Sequence, residues 1–554
     1  MSATVEATSP KVLRQSKTDP ISLGAILLAL AVAAPVAALL WLAFAPAAGQ
    51  SGSLGHLFGT VMPRYTLATA HLALVVVAIV VAIGVSTGWL VAAYDFPGRA
   101  WLAWLLVLPL STPAFVMAYA YTDFLATWGP LQTGLRALTG LEVGEYWFPE
   151  IHSPNGAGLF LGLALYPYVY LLSRAAFADR SPSLAEAARS LGSSRTAVWW
   201  RVIWPVARPA VAAGTALALM ETLADFGTVS YFAVDSFTAG IYRAWQGMGD
   251  RVGAARLALI LLVFVGALMW IERRSRSRMR FHARAARPAP RVPLRGWRAW
   301  RATVWCLVPP LLGFLLPALL LAQSWLADGA QIDPRLGRWI LNTALLAAAG
   351  AATVLPLALF AAYAARLGGG RALHLGVALA NSGYALPGVV LGVGLLILSG
   401  LVDRLLAPLT SALGMEAMLA GGSVLAVVYA YSVRFFSVGW QGIDSSLKRI
   451  SPSMDHSARS LGRRPVEVLR EVHWPLMRRG LASAALLVFI DCLKELPATL
   501  VLRPFDFDTL AVVAYQFASD ERLAAAALPS LLIVAVGLAP VVFLSRVASS
   551  EARR

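Results

Sequence analysis

Charge is scarce in this chain. Of its 554 residues only 14% are Asp, Glu, Lys or Arg, while 58% are hydrophobic and the mean hydropathy is +0.68. No single soluble core can take up that much apolar surface, so the bilayer is the natural solvent for the chain. Lysine is scarcer still: Lys11, Lys17, Lys448 and Lys494 are the whole set, and none follows a glycine. This excludes a phosphate-binding loop, which needs Gly-Lys followed by Ser or Thr, and with it an ATPase of that type. The two cysteines, Cys306 and Cys492, lie in apolar runs and suggest neither a disulfide framework nor a metal cluster. Seven histidines lack ligand spacing, and for His71 and His374, in or at the edge of spans, a hydrogen-bonded packing role is expected. No nucleophile, metal-ligand set or acid–base pair of suitable spacing points to an embedded enzyme. The alternating ten-residue segments of a closed β-barrel are missing as well.

What the chain has is long apolar runs. About 20 such residues cross the hydrocarbon layer as a helix. Runs free of charge cover Ile21 to Pro46, Thr66 to Ala93, Trp101 to Tyr121, Gly156 to Ser173, Ala302 to Ala327, Trp339 to Ala365, Ala372 to Leu401, Ala417 to Val433 and Leu523 to Leu544. Three less clean runs, Ala254 to Ile271 and those after Pro209 and Leu481, bring the expected count to about twelve spans. The first run exceeds the roughly 7–15 residues of a cleaved signal and reads as a retained helix, although Ala43-Phe44-Ala45 resembles a cleavage site. Between the sixth and seventh runs, residues 272–301 hold eleven arginines and one acid, Glu272. A short Arg-rich loop stays cytoplasmic. With even numbers of spans on either side, both ends of the chain are expected there too. The net charge of +17 is then a mark of topology. Anionic lipid headgroups are a nearer partner for it than nucleic acid.

The chain also repeats itself. Pro182-Ser183 matches Pro452-Ser453, Ala188-Arg189-Ser190-Leu191-Gly192 matches Ala458-Arg459-Ser460-Leu461-Gly462, Trp204-Pro205 matches Trp474-Pro475 and Arg208 matches Arg478, every pair as far apart as 452 is from 182, 270 residues. Pro113-Ala114-Phe115-Val116 answers Pro387-Gly388-Val389-Val390 with a small shift. The matched loops follow the fourth and tenth spans, so they emerge on one face and the repeats are parallel. Inverted-repeat secondary transporters therefore lose ground, although parallel halves also occur among such transporters. The expected architecture is all-α: a tail over residues 1–20, a six-span repeat over 21–271, the Arg-rich linker over 272–301, a second repeat over 302–546 and a tail over 547–554. Within the first loop, near residues 180–208, Ser183 and Glu186 are spaced as a capping box, Gly192 supplies a helix stop, and Ser193-Ser194 opens a second short helix running to Trp204-Pro205. The second loop lies near residues 441–479.

At these residues the chain resembles the membrane subunits of bacterial ABC importers, whose loop reads Glu-Ala-Ala, three residues, Gly, nine residues, then an aliphatic residue, any residue, Leu and Pro. Glu186-Ala187-Ala188, Gly192, Val202 and Pro205 fit, with Trp204 where Leu is usual. The second copy has His456-Ser457-Ala458 instead of Glu-Ala-Ala but keeps Gly462, Val472 and Pro475. Further likeness at Leu223 to Thr228, Phe237 to Arg243, Lys494 to Thr499 and Phe517 to Arg522 is to the fused permeases of ferric iron importers; thiamine and phosphonate permeases are similar. The resemblance implies a type I permease in the bacterial inner membrane whose two loops seat on two ATP-hydrolysing subunits, with Glu186, Ala187, Ala188, Arg189, Gly192, Pro205, His456, Ala458, Arg459, Gly462 and Pro475 at the contacts. It implies a soluble substrate-binding protein outside, no cofactor in this chain, and ATP with Mg in the partners.

Glu221 and Asp225 lie one helical turn apart, and Asp491 and Glu495 repeat them 270 residues on. Acids within spans usually face a bundle interior or an aqueous cavity. Four carboxylates meeting between the halves would suit a hard cation such as Fe3+. Alternatively they sit near the outer interface, Lys494 neutralises Asp491, or they lock helices together. Phenolic oxygens of Tyr119, Tyr121, Tyr166, Tyr168, Tyr170, Tyr429 and Tyr431 are more commonly packing or interfacial groups. No metal site is fixed by the pattern. An ion-coupled secondary transporter is the rival of another class, and the twin loops argue against it. The unequal loops give a test: Gly192→Pro or Glu186→Ala uncouples ATP hydrolysis from uptake more than His456→Ala does, and equal effects would contradict the inequality.

Overall fold

Proline decides where the long apolar runs stay straight. A computed structural model of the chain describes residues 20–44, 59, 61–178, 186, 188–277, 291–368, 370–412 and 422–551, almost all of them helical. Among these, eight helices are long and apolar enough to cross a membrane: Ile26–Phe44, Met62–Ala93, Pro154–Ala178, Thr196–Ala224, Arg251–Glu272, Trp297–Ala327, Leu336–Arg366 and Gly388–Pro408. A ninth span is bent by 91° between Arg99–Ser111 and Ala114–Thr139. Val424–Lys448, Trp474–Leu493 and Leu523–Glu551 complete the expected twelve. The tenth expected span is placed differently: its residues 417–421 lie outside the described part, and the helix runs on well past Val433 to Lys448. Residues 278–290 of the Arg-rich linker and both tail ends also lie outside the described residues.

The third and ninth spans are not the single helices that their apolar runs suggest. Each is broken before the matched proline. Thr112, ahead of Pro113, is extended at φ −101°, ψ 111°, and Leu386, ahead of Pro387, at φ −71°, ψ 121°. The proline ring disfavours the helical region for the residue before it, so the helix stops and restarts at Ala114 and at Gly388. Repetition of the break confirms that the two halves share one backbone plan.

The halves are joined by exchanged helices. Pro20–Phe44, the first helix of the first repeat, packs on Arg371–Ser382 and Gly388–Ala412 of the second. The first helix of the second repeat, Trp297–Ala327, packs in return on Arg99–Leu105 and Ala114–Leu125. Pro35 has no N–H to offer the carbonyl of Ala31, and the Tyr429 hydroxyl of the other repeat donates to that oxygen. In the second repeat the helix widens, so that the Leu316 N–H bonds five residues back to Leu311. In that register Pro317 leaves the carbonyl of Leu312 free, and Tyr121 of the first repeat donates to it at 2.6 Å. Neighbouring side chains thus satisfy backbone groups that lipid cannot. These tyrosines are packing groups with a directed hydroxyl; Tyr119, Tyr166, Tyr170 and Tyr431 are likewise buried. His71 bonds Asn155 at 2.8 Å, and His374 lies within hydrogen-bonding distance of the Gly370 carbonyl at 3.2 Å; both are exposed, so they are hydrogen-bonded as expected but not packed in the interior.

A small parallel bridge, Tyr94–Asp95 with Val292–Pro293, pins the end of the linker to the turn after Met62–Ala93. Replacing Tyr121 or Tyr429 by Phe leaves one buried carbonyl unpaired and is expected to cost about 1–3 kcal/mol each, roughly additively because the sites are separate. Thermal unfolding of the purified chain measures this, and unchanged midpoints would refute the role given to the hydroxyls.

Candidate functional site

Each matched loop is a helix, a left-handed glycine and a helix. Glu186 and Ala188–Ser190 are helical, and Gly192 has φ +84°, its N–H bonded to the Arg189 carbonyl at 3.0 Å and that of Ser193 to Ala188 at 3.0 Å. The second loop reproduces this turn: helix Pro452–Ser460, Gly462 at φ +80°, and bonds from Gly462 to Arg459 at 2.9 Å and from Arg463 to Ala458 at 3.1 Å. A side chain at either glycine would strain the backbone. Ser183 and Ala187 lie outside the described residues, so the capping box is not seen. Glu186, Arg189, His456 and Arg459 are exposed, as are Pro205 and Pro475, while Ala458 is buried. At the apex, Leu191 and Leu461 are 86% and 83% exposed, an expensive position for leucine that recurs in both copies.

The second short helix differs from the expectation. Ser194 caps it by accepting from Ala197 at 3.2 Å, but it does not end at Trp204-Pro205. Arg195–Val198 passes through a wide turn, Trp199–Ile203, directly into Trp204–Ala224. The Trp204 N–H bonds to Trp199, five residues back. This widening accommodates Pro205, whose ring would clash with the carbonyl of an ordinary helical turn. Pro465–Val468, Leu469–His473 and Trp474–Leu493 repeat the arrangement at the same offset.

The loops are held to the membrane helices by different chemistry. Trp199 stacks on Trp204 at 5.6 Å and meets Trp89 edge-on at 6.4 Å. In the second repeat, Arg366 donates to both Asp455 oxygens at 2.7 and 3.3 Å, to the Ile450 carbonyl at 2.9 Å and to that of Leu447. Fully buried His473 bonds the same carboxylate at 2.6 Å, and the Tyr363 hydroxyl donates to Pro465 at 2.5 Å. Burial opposes ionisation of Asp455, but the bonds from Arg366 and His473 outweigh it and hold its carboxyl below the usual range. Its contribution to stability is therefore present at neutral pH and lost as pH falls through that depressed value. Ala185 and Ile203 occupy the matching positions of the first repeat, and neither side chain can form such an ionic pair. Arg366, 89 residues from Asp455, gave no sign of this pairing in the sequence.

All four intramembrane acids line one cavity of about 150 Å³ between the halves, together with Tyr168, Tyr384, Arg434 and Lys494. Asp225 and Glu495 play one part twice. Asp225 accepts from the N–H groups of Thr228 and Val229 at 3.1 and 3.0 Å, opening helix Gly227–Tyr231; Glu495 accepts from Ala498 and Thr499 at 3.0 Å each, opening Pro497–Leu502. Glu221 accepts from the Tyr384 hydroxyl at 2.6 Å, Asp491 pairs with Lys494 at 2.9 Å, and Glu495 pairs with Arg434 at 3.3 Å. Gly388 makes room for that last pair: a Cβ there would stand 2.6 Å from the Arg434 guanidinium. Four carboxylates face two cations, so the lining keeps an excess of negative charge. Among the described residues no three His, Cys, Asp or Glu side chains converge as a metal-binding group.

Comparison with known proteins decides what this paired architecture belongs to. Residues 84–281, which include the first loop and both first-repeat acids, match the family model of the binding-protein-dependent transport system inner membrane component. The chain is the permease subunit of a binding-protein-dependent ABC transporter. An Fe(3+)-transport system permease protein of Haemophilus influenzae is 24% identical over 480 residues, 84% of this permease and 87% of the relative, a span that takes in both repeats. A molybdenum transport system permease protein of Escherichia coli K12 is 29% identical over 205 residues, 35% of this permease and 86% of the relative. A sulfate transport system permease protein of Salmonella typhimurium is 26% identical over 150 residues, 27% of this chain and 51% of the relative. In this permease, Asp455→Asn is expected to loosen the second loop by about 1.4 kcal/mol or more, speeding tryptic cleavage after Arg463 roughly tenfold. Cleavage after Arg195 in the first loop is the internal control, and equal change at both would remove the clamp's specific role.

Proposed function

We propose that this permease carries ferric iron into the cytoplasm by alternating access, driven by ATP hydrolysis in two partner subunits and supplied by a binding protein outside. One observation carries the substrate: the iron-permease relative aligns along both repeats, whereas the molybdenum and sulfate relatives align over about a third of the chain or less. The excess of carboxylates in the cavity suits a hard cation. In the state described, those acids are engaged by Tyr384, Arg434, Lys494 and two helix N-termini, so passage requires the Glu221–Tyr384 bond, which joins the halves, to part.

On this reading the two loops receive the partner subunits, with Leu191 and Leu461 entering apolar clefts and the glycine turns fixing their angle. The first loop, held by tryptophan packing, and the second, held by an ionic clamp, deliver unequal shares of the motion. Loops, linker and chain ends lie on the cytoplasmic side.

Arg434 and Lys494, together with the molybdenum and sulfate relatives, support a second reading in which the cargo is a tetrahedral oxyanion. ATP-dependent uptake of radiolabelled ferric ion into vesicles containing the permease and its partner subunits, with molybdate and sulfate as competitors, separates the two. Iron uptake indifferent to both anions supports the proposal; uptake of labelled molybdate instead overturns it. Glu221→Gln with Asp491→Asn is expected to lower transport about tenfold or more while leaving the fold intact. Asp225→Ala and Glu495→Ala would instead remove helix caps, costing about 1 kcal/mol each.

A further inference from the structure

A cavity of about 530 Å³, well apart from the carboxylates, opens where the second repeat enters the membrane. It lies between the end of Met62–Ala93, represented by Leu90, the pinned linker at Leu294, and the first turns of the helix that begins at Trp297. Arg298 and Arg301 line it, three residues apart and thus on one helical face. Both are exposed, and neither forms an ion pair or hydrogen bond among the described residues. Trp297 and Trp300, 75% and 58% exposed, flank them. Trp305 stands two turns further in, its indole N–H fixed on Ser86 at 2.9 Å, and Val304 beside it is exposed.

The order of these groups along the helix is that of a phospholipid seen from its headgroup inward. Two unpaired guanidinium forks come first, at the level of the linker and of the bridge to Tyr94–Asp95. The indole rings of Trp297 and Trp300, whose amphipathic character places them at a membrane interface, share those first turns. Apolar side chains follow. The forks match phosphate oxygens bidentately, and basic pockets between membrane helices bind anionic headgroups. A free phosphate would use the arginines but leave the tryptophan and valine wall without a purpose.

We infer that this cleft is a binding site for an anionic phospholipid, with its phosphate on Arg298 and Arg301 and an acyl chain along Trp305 and Val304. A lipid seated there touches the linker at Leu294 and the turn that the linker is pinned to, so it fastens the two repeats at the point where they are covalently joined.

The full-length chain, purified in mild detergent and offered phosphatidylglycerol or phosphatidylcholine of equal chain length, is to be examined by native mass spectrometry. Retention of phosphatidylglycerol several-fold above phosphatidylcholine, lost in Arg298→Gln/Arg301→Gln, is the expected result; an unchanged preference in the double variant overturns the site. A phosphatidylglycerol with a photoreactive headgroup tests the unmodified chain independently of whether the variant folds. Crosslinks within residues 294–305 support the site, and crosslinks confined elsewhere refute it. Millimolar inorganic phosphate should leave the lipid bound; displacement would assign the arginines to free phosphate instead.

Discussion

In a bilayer no water reaches a freed amide or carbonyl, and this permease breaks its helices again and again. Several of these breaks are answered by a side chain or by a change of helical register. Tyr429 and Tyr121 fill the carbonyls released by Pro35 and Pro317. Asp225 and Glu495 fill the amides opened where the fifth and eleventh spans stop short. Wide turns before Trp204 and Trp474 accommodate Pro205 and Pro475. The cost of an unpaired backbone group in hydrocarbon thus selects the groups that bind the two halves together.

Seen this way, the intramembrane acids have two duties that the sequence ran together. Spacing alone put Glu221 with Asp225 and Asp491 with Glu495, and it left open whether the pairs meet between the halves or sit near the outer interface. It did not separate the helix-capping acids from the pair engaged by Tyr384 and Lys494, because capping depends on where the helix ends. The neutralisation of Asp491 by Lys494 was legible, since the two are neighbours on one helix. Arg434 was not, because its partner Glu495 is 61 residues away.

The repeat itself was the most legible feature, and the backbone carries it further than the residues do. Glycine turns, wide turns and proline breaks recur even where side chains have diverged. The loops also differ where they meet their supporting helices: tryptophans on one side, Arg366, Asp455 and His473 on the other. The degenerate His456-Ser457-Ala458 marked the second loop as different. The clamp shows that it is differently braced, which a missing Glu-Ala-Ala motif alone would not suggest. The continuity of the proline-broken third and ninth runs was misread for a physical reason: hydropathy records length and composition, while the break is a local backbone preference.

The exchange of first helices also bears on how the chain is made. Pro20–Phe44 leaves the ribosome first, yet Arg371–Ser382, on which it packs, follows roughly 330 residues later. At about 5–20 residues per second the early helix waits for tens of seconds before that partner appears, with Arg251–Ser277, on which it also packs, made in between. It contains no charged side chain, so it can rest in lipid during that interval without exposing anything the bilayer would reject. Biosynthesis, as much as the finished fold, is a reason for the uniform oiliness of that first segment.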